Sequence, residues 1–291
     1  MKNGKIILAI FLVLCTSWVS ALAIDLQHED YLLGQGLPYG ELLGRLEDAL
    51  NTTSNRKEKS EICWRMSRIA MLAGDELDKK DKEGRRQWFD KGADYAMLGL
   101  EYDPQQYRNY MWHSANIGRR GQTGSIFDQA ATVKPILADV SAIIDKLGIL
   151  DYSEPWQTLA EVYYQHPAKS TEQAVSFARM ALATVPEGEV RLPTYLLLAE
   201  ILRKRGWTVT ERTQNLQEMK KEFESAHKTN IEKYAYYEGS PEVEIDTAIT
   251  DRQEAKQLLI EAKKLYMKAN NRASANEQAL VQIEKYLNKW K

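Results

Sequence analysis

Three glycines and two arginines fall within Gly118-Arg119-Arg120-Gly121-Gln122-Thr123-Gly124, a composition that could cradle a phosphate. The stretch lacks the Gly-Lys-Ser/Thr ending of a nucleotide loop and nothing before it reads as a strand. It is therefore read as a turn that lets two helices reverse, with Arg119 and Arg120 open to an acidic partner. Four histidines, His28, His113, His166 and His227, have no metal-ligand spacing and no accompanying cysteine set, so no metal or other cofactor is expected. His113 lies in an apolar helical pattern, where an imidazole is expected to be a hydrogen-bonded part of the core. There is no Gly-x-Ser-x-Gly elbow and no dinucleotide fingerprint, and the carboxylates lie on helical faces without a recognisable pair. The chain reads as non-catalytic.

What positions these residues is helical. Gly92-x3-Ala96-x2-Gly99-x4-Pro104 and Ala174-x3-Ala178-x2-Ala181-x4-Pro186 share one spacing. Small residues at those intervals occupy one helix face, admit a neighbouring helix closely, and precede a proline that stops the helix. An all-α fold of stacked helical hairpins follows, with segment 24–58 contributing one helix (Tyr39 to Leu50), hairpins over 59–227, a Tyr-rich loop or lid at 228–249 and capping helices over 250–291. The charge run Asp78 to Glu83 reads as an exposed extension between Glu61–Ala73 and Trp88–Tyr102. Pro135 predicts a kink or a division at Lys134 within the helix Ile126 to Leu147, because proline lacks the amide proton and crowds the preceding turn.

The first 23 residues carry Lys2 and Lys5, the apolar run Ile6 to Leu14 and Ala21-Leu22-Ala23, the three parts of a secretory signal. Cleavage after Ala23 is expected, giving a periplasmic or secreted chain. Leu14 is bulky where a lipoprotein signal has a small residue, which argues against lipid attachment at Cys15. No later segment approaches the roughly 20 apolar residues of a membrane span. Loss of Lys2 and Lys5 from 39 basic residues leaves 37 against 41 acidic ones, a net charge of −4, which argues against nucleic acid as a partner. Only Cys63 then remains, beside Trp64 in a helical pattern, and is expected as a buried free thiol.

Trp156-x2-Leu159-Ala160-x2-Tyr163 and Tyr195-x2-Leu198-Ala199-x2-Leu202 resemble the first-helix signature of the tetratricopeptide repeat, a helical hairpin that stacks into a superhelix. The aromatic starters Trp64, Tyr110, Trp156 and Tyr195 lie 46, 46 and 39 residues apart, longer than the standard unit of roughly 34, so the array is divergent. Trp64-Arg65-x-Ser67-Arg68, Trp112-x2-Ala115, Ile117-x3-Gly121-x2-Gly124 and Lys134 also resemble the regulator of microtubule dynamics family over about Ile62 to Pro186. The microtubule role would not carry over to an exported chain. Less specifically, the signal-bearing helical repeat is similar to the periplasmic T component of TRAP-type solute transporters. That likeness implies a homo-oligomer that associates with a transporter's substrate-binding subunit, the solute receptor.

In such an array the first helices line an inner groove. The residues expected there are Arg65, Ile69 and Leu72; Arg108, Met111 and Arg119; Gln157, Glu161 and Tyr164; and Leu196, Glu200 and Arg203. Arginine, carboxylate and aromatic groups together suit a protein or peptide partner in the cell envelope.

Overall fold

A computed structural model describes residues 24–166, 168–269 and 274–290. The signal segment, its cleavage site at Ala23, Cys15 and Pro167 lie outside the described residues. Within them the chain forms thirteen α-helices and no strand. They are α1 (Leu26–Gly34), α2 (Tyr39–Thr52), α3 (Arg56–Glu76), α4 (Lys82–Tyr102), α5 (Tyr107–Thr123), α6 (Ile126–Ser141), α7 (Ser153–Gln165), α8 (Thr171–Ala183), α9 (Leu192–Arg205), α10 (Val209–Glu224), α11 (Asn230–Tyr234), α12 (Asp251–Lys268) and α13 (Ser274–Lys289).

Local chemistry sets many of the boundaries. Asn55 caps α3 by accepting from the Lys57 and Glu58 backbones, and reciprocal capping boxes open α6 (Ser125 with Asp128), α10 (Thr208 with Glu211) and α12 (Thr250 with Gln253). Gly206 closes α9 in the left-handed region, at φ 69°. The charge run is helical only at its end, where Lys82 and Glu83 begin α4. α3 ends at Glu76, and the Asp81 carboxylate accepts from the Gly84 backbone to start α4.

Consecutive helices pack as antiparallel hairpins: α3 on α4, α5 on α6, α7 on α8, with α4 on α5 and α8 on α9 joining one pair to the next. The glycines of the first small-residue pattern have a specific job. Asn109 on α5 donates to Ser60 Oγ (2.8 Å) while Ser60 Oγ donates to the Gly99 carbonyl (2.9 Å), and Asn116 donates to Ser67 Oγ (3.0 Å) opposite Gly92. The two clasps sit two turns apart, tying α3, α4 and α5 together. A Cβ on Gly99 or Gly92 would overlap the Oδ1 of Asn109 or Asn116. Those two buried oxygens meet no N–H or O–H donor; lying against a glycine Cα, they have only a weak Cα–H contact available.

Segment 24–58 carries two helices, α1 and α2, where one was expected, and three further expectations change here. Residues 118–123 are not a turn, because α5 runs to Thr123 and the reversal takes place at Gly124–Ser125. Gly121 serves helix packing instead, since a Cβ there would lie 2.7 Å from Thr132 Cγ2 on α6. Pro135 does not divide α6 at Lys134; the helix continues to Ser141 and passes into a π turn, Ala142–Lys146. Most consequentially, the last hairpin of the span 59–227, expected to pair Tyr195 to Leu202 with a second helix over Glu211 to Ala226, does not form that way: α10 is not that second helix. α12 packs along α9 in that place and α13 packs on both. Ala255, Leu259 and Ala262, all fully buried, repeat the spacing of Ala174, Ala178 and Ala181 with leucine in the middle.

The stretch between α9 and α12 is thus an insertion, and its middle is packed into the fold. Ala235, Tyr237, Glu238, Gly239 and Ser240 are buried. The Gly239 backbone lies so close to α10 that a Cβ would collide with the main chain of Met219 and Lys220. Beneath it three arginines and three acids form a closed alternating ring: Glu238, Arg205, Asp251, Arg212, Glu254, Arg179 and back to Glu238. Arg205 to Asp251, Arg212 to Asp251, and Arg179 to Glu238 are each 2.7 Å. The ring joins α8, α9, α10, α12 and the inserted strap at one point.

Candidate functional site

The residues expected to line the groove divide into those used inside the chain and those left on the first-helix face. Ile69 is corrected outright. It is 2 % exposed and packs with Leu42, Leu43 and Leu46 of α2, because α2 covers that side of α3. Arg65 is also buried: its guanidinium bonds Asp30 (2.9 and 3.0 Å) and Glu61 (2.9 Å) and stacks on Trp64 at 4.1 Å. At the other end α13 takes up two more. Tyr286 donates to Glu200 (2.7 Å), and Arg203 lies over the Trp290 ring at 4.1 Å.

Between these ends the remaining candidates form a band across α3, α5, α7 and α9. Arg119 pairs with Asp75 of α3 (3.1 Å) and donates to Gln122 (3.3 Å). Gln157 donates to Glu161 (3.0 Å) and accepts from Thr194 of α9 (3.0 Å). The carbonyl of Tyr164 accepts from Lys204 (2.7 Å), whose ammonium lies 4.7 Å from the Tyr164 ring. Arg108 lies over Trp64 (5.2 Å) and Tyr107 (5.3 Å), so Trp64 carries an arginine from each of two helices. Met111, Leu72 and Leu196 are half-buried. Burial pushes the Glu161 carboxyl above its ordinary range, with the Gln157 hydrogen bond and the field of Arg119 partly offsetting it. The Tyr164 phenol is raised by burial and then by Glu200 and Tyr286.

Sequence reasoning missed Asp75, Thr194, Tyr286 and Trp290, which complete this band. Asp75 sat in a stretch read as a helix end, and the α13 residues were read only as packing positions. His113 does bond within the fold, through Nδ1 to Asp139 (2.7 Å), with Ser114 donating to the same carboxylate (2.8 Å). Burial raises the Cys63 thiol to about 12, so it stays protonated at neutral pH.

The ion ring is the other place where carboxylates are strongly perturbed, as they are in many active sites. Here each charge is answered by two opposite ones, and Arg205, Arg212, Glu238 and Asp251 are at most 1 % exposed, so a substrate has no approach. Burial alone would raise Glu238, but Arg205 and Arg179 outweigh it and hold the carboxyl low; Arg179 and Arg212 do the same for Glu254, down to about 2. A carboxyl depressed in the folded state stabilises the fold above its unfolded value and loses that contribution as pH falls through the folded one. For Glu254 the expected loss lies between about pH 4.5 and 2, and E254Q should flatten the stability-versus-pH curve in that window, measured by urea unfolding at a series of pH values.

Among the described residues no group of His, Cys, Asp and Glu is arranged to hold a metal ion, and no helix is long and apolar enough to cross a membrane. No protein-family model matches the chain, and no curated protein matches it in sequence.

Proposed function

We propose that this protein is an exported, non-catalytic scaffold of tetratricopeptide-like hairpins that binds a protein or peptide partner of the cell envelope on its first-helix face. The observation that carries the reading is the band itself: Arg119 ties α5 to Asp75 of α3, Gln157 and Tyr164 tie α7 to α9, Glu200 meets α13, and the field of Arg119 reaches Glu161 across the step from α5 to α7. Arginine and tyrosine in partly desolvated positions are the usual anchors of protein contacts. α1 and α13 close the two ends and leave the middle to a ligand.

The test uses residues whose side chains reach other helices only through ring contacts, Arg108 on Trp64 and Tyr164 under Lys204. Full-length protein carrying R108A, E161Q and Y164A together is expected to lose at least about tenfold of its captured envelope partner relative to wild type, with its melting temperature kept. Equal capture of the same partner by both proteins rejects the face.

A further inference from the structure

The charges of the first-helix face are mostly answered within the chain. Asp30 and Glu61 answer Arg65, Asp75 answers Arg119, and Arg191 answers Glu154 at 2.6 Å. Arg203 rests on Trp290, and Glu200 receives the Tyr286 phenol. Those last two also lack a counter-ion, but α13 covers them, so two charges without one are left on the open face. Arg108 lies over the rings of Trp64 and Tyr107, and the described residues place no carboxylate within ion-pair distance of it. Glu161 receives one hydrogen bond, from the neutral amide of Gln157, and no cation of the described residues is within ion-pair distance of it; Arg119, held by Asp75, reaches it only through its field. A half-buried carboxylate without a counter-ion bears a desolvation cost that an incoming cation would relieve, which is why burial raises its affinity for a proton.

The fold sets how far apart these two sit. Tyr107 meets Tyr152 ring to ring at 4.8 Å, so the starts of α5 and α7 are level. Arg108 is at the start of α5, whereas Glu161 lies two turns into α7. α5 and α7 meet through α6 and this ring contact rather than by direct packing, so their spacing is no less than the about 10 Å of packed helices, and a rise of 1.5 Å per residue then puts the two side-chain bases at least about 15 Å apart. In an extended peptide, at about 3.3 Å per residue, that span is at least about four residues.

Resting on the binding face proposed above, we infer that its occupant is an extended peptide segment with one basic residue, seated on Glu161, and one acidic residue at least four positions away, seated on Arg108. The acid and base give the segment its register and direction, and the half-buried Met111 between them takes the apolar side chains in the middle. Lysine or arginine at the first position gains the unpaired carboxylate; an acid at the second turns an aromatic-stacked guanidinium into an ion pair.

The experiment is a random twelve-residue peptide display panned on the full chain, followed by titration of the enriched peptides at about 0.1 M salt. The enriched set is expected to share Lys or Arg at least four positions from Asp or Glu. E161Q should weaken these peptides about 30-fold, which corresponds to about 2 kcal/mol, and should remove the preference for a basic residue. R108Q should remove the preference for an acidic one. E161K should regain binding to peptides whose basic residue is changed to Glu. Melting temperatures of all variants are recorded, so that a folding defect is seen as such. Peptides that bind wild type, E161Q and R108Q equally but are lost on Y164A overturn the charge pairing and leave the binding face standing. Peptides indifferent to all three variants, or no enrichment at all, overturn both.

Discussion

Replacing Asp251 with alanine is expected to lower the unfolding free energy by about 3–5 kcal/mol. Asp251 is fully buried, accepts from Arg205 and Arg212, and receives the Trp207 backbone N–H at 3.0 Å. Its removal leaves three arginines facing two acids in a space that water does not reach, so the cost comes from the stranded positive charge more than from the bonds lost. Removing Arg212 together with Asp251, as R212M and D251L, leaves two arginines facing two acids. That double variant should therefore be less destabilised than D251A alone. Urea unfolding gives the energies, and hydrogen exchange gives the location: protection should fall over α8 to α13 and stay intact over α2 to α5, because a stacked array transmits damage chiefly to neighbours. Uniform loss over the whole chain, or a double variant worse than the single, would contradict this account.

The second large effect is a change of sign. Glycine inside a helix costs about 1 kcal/mol relative to alanine, so Gly→Ala in α4 should stabilise on propensity alone. At Gly99 and Gly92 the opposite is expected, a loss of about 1–3 kcal/mol, because the added methyl overlaps a buried asparagine amide clamped between two other helices. Gly44, in the interior of α2, is the control. Nothing lies within 4 Å of a Cβ there, and G44A should stabilise by about 0.5–1 kcal/mol. Adding N109A to G99A should recover part of the loss by vacating the contested space. Thermal and urea melts of the four proteins decide it. A stabilised G99A would mean that the clasp yields more readily than its packing implies.

The all-α class was legible because small residues, aromatic starters and prolines follow a helical period that depends only on near neighbours in the chain. The face proposed for binding was half legible. First-helix residues at the right spacing do share a face from Arg108 to Tyr164, yet Ile69 and Arg65 went inward because helices outside the repeat pattern, α1 and α2, cover them. Gly118 to Gly124 misled because glycine signals a turn by composition, while Gly121 is present for close helix contact with Thr132. The pairing of α9 with α12 was out of reach of local patterns, although Ala255, Leu259 and Ala262 carried its spacing. The ring could not be read at all. Arginine and glutamate are abundant on solvated helix faces, and only three-dimensional proximity singles out these six.

The insertion between α9 and α12 bears on the order in which the chain can assemble. Arg205 and its partner Asp251 are 46 residues apart, and the small-residue face that α9 needs is not made until that stretch has been threaded out. The earlier hairpins close over short connections and can form while synthesis continues, whereas the last one has to wait for nearly the whole polypeptide. Until then the apolar side of α9 stays open to solvent and to other molecules. A chain cut short before α12 would keep that exposed surface permanently, which makes the final forty residues a condition for solubility of the part before them.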